Sequence, residues 1–151
     1  MEQLIQCVVA FVGCFGFTFI FRIHKNIAFS FLGSVIGAIG WIIYLYMGFL
    51  DNQFAQNFIA MLCVSVLSEI LARLFYAPAT IFIMIGFFPL VPGSGIYYTM
   101  LYAVQGQYEL FIQSFLSTLG IGMSLALAIL VSSTLFQVYK RIKTNDFVSI
   151  K

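Results

Sequence analysis

Charged side chains are scarce in this chain. Lysine, arginine, aspartate and glutamate make up 8% of its 151 residues, whereas a soluble domain carries about 25%. Hydrophobic residues make up 62%. This composition excludes an ordinary soluble domain and predicts an all-α, multi-pass membrane protein with a single transmembrane domain over residues 1–151. We expect the lipid bilayer to surround it and expect no nucleic-acid partner.

Residues that build metal, redox or catalytic sites are also few. The chain has one histidine, and its cysteines, Cys7, Cys14 and Cys63, have no metal-ligand or redox spacing. There is no G-x-S-x-G elbow and no H-E-x-x-H motif. We therefore expect no enzyme activity, no metal and no cofactor, and we expect the cysteines to pack as small hydrophobic side chains.

Long apolar segments dominate the rest of the chain. A helix needs about 20 apolar residues to cross the hydrocarbon core. The segments that meet this length predict spans at approximately 4–21, 27–50, 54–75, 79–104 and 110–139, followed by a short basic cytoplasmic tail at 140–151.

The positions of the basic residues predict the orientation of these spans. With the N-terminus outside, all seven Lys and Arg residues fall on the inner side, in the turns at 22–26 and 73–78 and in the tail. Membrane proteins concentrate Lys and Arg in their cytoplasmic loops. A four-span arrangement without 79–104 would put basic residues on both sides. We therefore predict five spans with the N-terminus outside and the C-terminus inside.

The fourth span contains a strong helix-breaking signal. Residues 88–95 read FPLVPGSG, with two prolines and two glycines. Each proline removes a backbone donor and clashes with the preceding turn, and lipid cannot satisfy the freed groups. We predict that the fourth helix is broken at Pro89–Gly95, near the bilayer midplane because about ten residues flank the break on each side. Such breaks form binding sites in secondary transporters; the alternative is a proline kink without a ligand.

The half-helix after the break predicts a site for an anion. The start of a helix presents free N–H groups and a partial positive charge, which can bind a carboxylate without Arg or Lys. Ser94 is the predicted N-cap. The candidate substrate-binding residues lie in the break and in the turn that follows it: Pro89, Pro92, Gly93, Ser94, Gly95, Tyr97, Tyr98 and Thr99.

Glu69 and Arg73 form a second candidate site near the inner end of the third span. Their i, i+4 spacing and order favour an ion pair on one helix face. Ionisable groups inside a membrane are functional candidates, so Glu69 could carry a coupling proton or the pair could gate the inner side. The alternative is an interfacial pair in which Arg73 extends to the cytoplasm.

Stripes of small residues predict where helices pack closely. Membrane helices approach one another where small side chains recur every three or four residues. The stripes are Gly33, Gly37 and Gly40 in the second span, and Gly120, Ser124 and Ala128 in the fifth.

The run from Arg73 through Pro78 and the P-L-V-P-G sequence at 89–93 to Tyr97 resembles the threonine/serine exporter family. The likeness is closest to the small membrane subunit, or C-terminal half, of that family. It implies ion-driven export of threonine and serine across the bacterial cytoplasmic membrane. In two-component members the small subunit works with a larger membrane subunit, and export of a dicarboxylate such as succinate has been proposed for such a pair. The family motif falls on Pro89, Pro92, Gly93 and Tyr97.

Together these patterns predict a subunit of a secondary exporter for small carboxylate-bearing metabolites. Five spans are few for a transporter, and a larger subunit with five inverted spans would complete it. Two alternatives stay open: a structural or assembly subunit without its own substrate site, and a channel formed by a homo-oligomer.

Overall fold

The structure is a computed structural model that describes residues 2–20 and 27–148, and these residues contain helices and turns but no strand. The all-α prediction is therefore confirmed. The α-helices are α1 (Glu2–Ile20), α2 (Ile27–Tyr46), α3 (Gln53–Leu74), α4 (Ala79–Phe87), α5 (Gly93–Val104) and α6 (Tyr108–Val148), with short 3₁₀ helices at Met47–Phe49 and Phe88–Leu90. The basic turn at 22–26 lies outside the described residues.

Several of these helices are long and apolar enough to cross a membrane. α1, α2 with its 3₁₀ extension, α3 and α6 each meet this length by themselves, and α4 and α5 make a fifth span if the pair crosses as one. The two members of that pair are bent by 57° at their junction. The protein is thus a multi-pass membrane protein, and the number of spans and their orientation stay predictions.

Glycines in α2 bring its backbone against three neighbouring helices. A Cβ atom on Gly33 would lie 2.7 Å from Ile85 of α4, and one on Gly37 would lie 2.5 Å from the sulfur of Cys14 in α1. A Cβ atom on Gly40 would overlap Val64 of α3. The predicted glycine stripe is confirmed, and Cys14 is packed as a buried hydrophobic side chain.

The stripe of small residues in α6 packs against α3. A Cβ atom on Gly120 would overlap the ring of Phe54, the second residue of α3. Near the other end of the contact, Arg73 of α3 meets Phe136 of α6. The two helices therefore run side by side in the same direction, and Ala128 is fully buried between these two points.

The fourth segment is interrupted as predicted, but over fewer residues. Val91 and Pro92 separate the 3₁₀ helix from α5, which begins at Gly93. The prediction of Ser94 as N-cap is wrong, because Pro92 holds that position and no side chain caps the helix. The N–H of Gly93 donates to the carbonyl of Val91 at 2.7 Å, which closes a tight turn and starts the helix before Ser94.

The break lies past the middle of its neighbour α2. Leu90 approaches Gly40, and Pro89 lies in a groove with Trp41, both nearer to the Tyr46 end of α2 than to Ile27. α4 already packs on the start of α2, where Phe82 meets Phe29 edge-on. The position of the break relative to the bilayer midplane stays a prediction.

Residues 93–119 form a hairpin that we call the outer arm; the names outer and inner follow the predicted orientation. α5 packs mainly against α6, and Thr99 is the buried residue of α5. The turn between them requires a glycine, because Gly106 has a φ of +69°. About 18 Å of helix separates Tyr108 from Gly120, and Gly120 is level with the first turn of α3. The outer arm therefore extends past the start of α3. We call the remaining helices, together with residues 120–148 of α6, the bundle.

Candidate functional site

A polar cleft lies between α5, α6 and the first residue of α3, and we call it the outer cleft. Its volume is about 370 Å³, within the range of pockets for small ligands. Uncharged polar groups line it, chiefly Gln53 of α3, Ser94 and Tyr98 of α5, and Gln113, Ser117 and Thr118 of α6. The lining can therefore donate and accept several hydrogen bonds without adding a net charge.

The start of α5 supplies backbone donors to this cleft. Gly93 donates to Val91 and Ile96 donates to Pro92, but the N–H groups of Ser94 and Gly95 have no carbonyl acceptor within the described ranges. Unpaired N–H groups at a helix start carry a partial positive charge and bind anions. Ser94 and Gly95 both line the outer cleft, so these donors stand where a bound carboxylate could reach them.

Hydroxyl groups fix the position of α5 on α6. Thr99 Oγ1 donates to the carbonyl of Gly95 at 2.7 Å and lies 3.0 Å from Ser114 Oγ. Thr118 Oγ1 donates to the carbonyl of Ser114 at 2.7 Å. A Cβ atom on Gly95 would overlap Thr118 Oγ1. The α5 backbone therefore rests directly on α6, and Gly95 is needed for this close approach.

The structure brings four of the eight predicted substrate residues together. Pro92, Ser94, Gly95 and Tyr98 line the outer cleft. The other four are Pro89, Gly93, Tyr97 and Thr99. The substrate role of all eight stays a prediction.

Those four lie outside the lining of the outer cleft. Pro89 lies in a groove beside α1 and Trp41. Thr99 is 7% exposed and is used in the α5–α6 contact. Tyr97 is 63% exposed and packs edge-on against Tyr98. Gly93 is exposed and starts α5.

Sequence reasoning missed the contributions of α6 and α3 to the cleft. Gln113 and Ser117, and beside them Ser114 and Thr118, recur at i, i+4 in an otherwise apolar segment, which is the signature of a polar helix face. That signal was present in the sequence. Gln53 gives no such signal, because only the packing of α3 against α6 brings it to the cleft.

A second cleft, the inner cleft, lies between the end of α3 and α6. It has a volume of about 350 Å³ and its polar lining comes from Glu69, Arg73, Gln137 and Lys140. Arg73 Nη2 donates to the carbonyl of Phe136 at 3.3 Å, and its guanidinium carbon lies 4.8 Å from the centre of the Phe136 ring.

The predicted ion pair between Glu69 and Arg73 is therefore wrong. Arg73 is exposed at the helix end and reaches across to α6 rather than back along α3. The two side chains still share the inner cleft, so their role in coupling or gating stays a prediction.

Comparison with known proteins identifies the family. A family model described as Threonine/Serine exporter, ThrE matches residues 6–135. No curated protein and no solved structure gives a significant match. The matched range includes the helix break and both walls of the outer cleft, and a transporter family is not an enzyme class. This multi-pass membrane protein belongs to the threonine/serine exporter family.

Proposed function

We propose that this chain is the small membrane subunit of a secondary exporter that carries threonine and serine out through the bacterial cytoplasmic membrane. In this proposal the chain crosses five times, with its N-terminus outside and the α4–α5 pair as one broken span. One observation carries it: the unpaired N–H groups of Ser94 and Gly95 meet the polar face of α6 in one cleft.

The chemistry of the outer cleft suits a zwitterionic amino acid. The carboxylate would accept from the N–H groups at the start of α5. The amide oxygens of Gln53 and Gln113 and the hydroxyl of Ser117 could accept from the ammonium group or bond the substrate hydroxyl. No charged side chain lines the cleft in the described part of the chain. A dicarboxylate such as succinate, with a second negative charge, is therefore the second choice.

A partner subunit would complete the outer cleft. Two residues of the cleft lining, Tyr98 and Leu110, are 48% and 44% exposed, so this side of the cleft is open. We propose that a larger membrane subunit of the same family, with five inverted spans, packs against this arm and supplies the missing wall. Substrate sites at the interface of inverted repeats are the rule in such transporters.

The test measures export from reconstituted vesicles that contain this chain and its partner. Gln113→Leu and Ser117→Ala remove polar groups from the cleft, and we expect each to lower threonine export roughly 10-fold, since lost hydrogen bonds of about 1.4 kcal/mol correspond to that factor. Succinate is measured in parallel. Ser133→Ala is the matched control, because Ser133 lies on α6 outside the cleft and its hydroxyl already donates to Leu130.

Two outcomes would contradict this proposal. If both variants export threonine at the same rate as Ser133→Ala, the outer cleft does not bind the substrate. Loss of the assembled complex, rather than of export alone, would point to an assembly role for this region.

A further inference from the structure

Three serine side chains of α3 and α6 are buried without a partner in the described part of the chain. Ser65 and Ser68 of α3 are 0% exposed, and Ser132 of α6 is 1% exposed. Their hydroxyl oxygens make no hydrogen bond to any group within the described ranges. A buried hydroxyl without a partner is costly, and in a native protein it usually marks a bound water or ion.

The packing of the two helices places these hydroxyls close together. Residues 120, 124, 128, 132 and 136 of α6 follow one ridge of the helix. Gly120 meets Phe54 at one end of this ridge, and Phe136 meets Arg73 at the other. Ser132 lies one turn before Phe136, so it faces α3 at about the level of Ser68.

Small side chains continue this line towards the outer cleft. Ser65 lies one turn before Ser68 on α3, at about the level of the fully buried Ala128 of α6. Ser124 follows one turn earlier on α6, and its hydroxyl donates to the carbonyl of Ile121, which lines the outer cleft. The small side chains of Ser65, Ala128 and Ser124 therefore stand at successive levels of this contact, beside the buried Leu125 and Met61 of the hydrophobic core.

A cleft with polar groups in its lining lies at each end of this line. The outer cleft reaches Ser117 and Ile121 of α6. The inner cleft is mainly apolar but includes Glu69, the residue after Ser68, and Phe136, one turn beyond Ser132. Internal water needs two to four polar partners, and the buried hydroxyls between the clefts supply such partners.

We propose that the contact between α3 and α6 holds a file of internal water molecules, bound by Ser65, Ser68 and Ser132, that connects the outer cleft to Glu69 in the inner cleft. Its role rests on the proposed exporter function: the file is the route by which a proton moves between Glu69 and the outer cleft. The charged groups at its inner end are Glu69 and Arg73 from α3 and Lys140 from α6.

The first test is the sign of a stability change in the purified full-length protein. A hydroxyl that binds water stabilises the fold, whereas a buried hydroxyl without any partner destabilises it. We expect Ser68→Ala and Ser132→Ala each to lower the midpoint of thermal unfolding by roughly 2–4 °C. The double variant should lose less than the sum, because the two hydroxyls share water. Ser133→Ala is the control, since its hydroxyl bonds within α6.

A midpoint that rises in Ser68→Ala and Ser132→Ala, or that shifts no more than in Ser133→Ala, overturns the water file. The reason is that a dry interface gains stability when an unpartnered hydroxyl is removed.

The second test measures water access directly through cysteine chemistry. Ser68→Cys and Ser132→Cys are made after Cys7, Cys14 and Cys63 are replaced by alanine. A thiol reacts as the thiolate, which forms only where water reaches it. We expect hydrogen peroxide, a molecule little larger than water, to oxidise both thiols to the sulfenic acid at least 10-fold faster than that of Ala60→Cys, a position of α3 that is 0% exposed. Rates equal to that of Ala60→Cys would contradict the proposal.

The two proposals fail in different ways. The stability and thiol measurements need no transport. Positive results in a chain that exports nothing would contradict the exporter proposal and support the water file. Export that persists while both measurements show a dry interface would do the reverse.

Discussion

The bundle and the outer arm share the helix α6 but are held together by different contacts. In the bundle, glycines such as Gly37 and Gly86 let side chains of one helix press into the backbone of another. In the outer arm, hydroxyls of Thr99 and Ser114 join two helices whose other faces are exposed. Both regions expose apolar side chains, among them Leu4 and Leu135 of the bundle and Val104 of the arm. The outer cleft lies where the two regions meet, with Gln53 from the bundle and α5 from the arm.

The largest effect should come from crowding the bundle. A Cβ atom on Gly86 would lie 2.7 Å from Val64 and 3.1 Å from Ile36. We expect Gly86→Ala to destabilise the fold by about 1–3 kcal/mol, the usual cost of overpacking, measured as a lower midpoint of thermal unfolding. Gly122→Ala in α6 is the matched control, because a Cβ atom there meets nothing within 4 Å. If both variants unfold alike, the bundle is not the tightly packed region.

A smaller change in stability, with a larger one in transport, should follow at the boundary between the regions. Gly95→Ala forces α5 away from Thr118 and shifts the N–H groups that face the cleft. We expect threonine export to fall roughly 10-fold, since a displacement of about 1 Å at a site can cost 10²-fold, while the bundle stays folded.

Thr118→Ala, added to Gly95→Ala, removes the atoms that clash and should restore part of the export. No recovery in the double variant would show that the close approach of Gly95 to Thr118 is not what matters.

The smallest effect should come from the inner end of the bundle. Arg73→Lys keeps the charge but loses the planar guanidinium that lies over Phe136. An ammonium also binds an aromatic face, so we expect Arg73→Lys to lose less unfolding free energy than Arg73→Gln, which should lose about 0.5–1 kcal/mol, the value of an exposed cation–π contact. Equal stability of Arg73→Gln and the wild type would show that the contact adds nothing.

Much of the bundle could be predicted from local sequence rules. The length of the apolar segments marked the helices, Pro89 and Pro92 marked the break, and the spacing of Gly33, Gly37 and Gly40 marked a packed face. Each of these features depends on neighbours in sequence, such as a missing donor or a missing side chain.

The arrangement of the outer cleft could not be predicted in the same way. Gln53 reaches the cleft only because α3 runs beside α6 with Phe54 against Gly120. Arg73 bonds to Phe136 rather than to Glu69 for the same reason, because α6 runs parallel to α3 and brings the carbonyl of Phe136 within reach. Contacts of this kind join residues that are more than sixty positions apart, and no local pattern carries their register. The N-cap prediction for Ser94 was wrong for a local reason: the tight turn at Val91–Gly93 starts α5 before Ser94.

The unbroken length of α6 gives the two clefts a mechanical connection. Its 41 residues make a rod of about 61 Å, roughly twice the hydrocarbon thickness of a bilayer. The contact between Gly120 and Phe54 is the point about which α6 would pivot as a rigid body. A tilt of about 10° there would move Tyr108 by roughly 3 Å and Lys140 by roughly 5 Å in opposite directions. Because α5 rests on α6, such a tilt would carry the outer arm as one body and would couple its movement to that of Lys140 in the inner cleft.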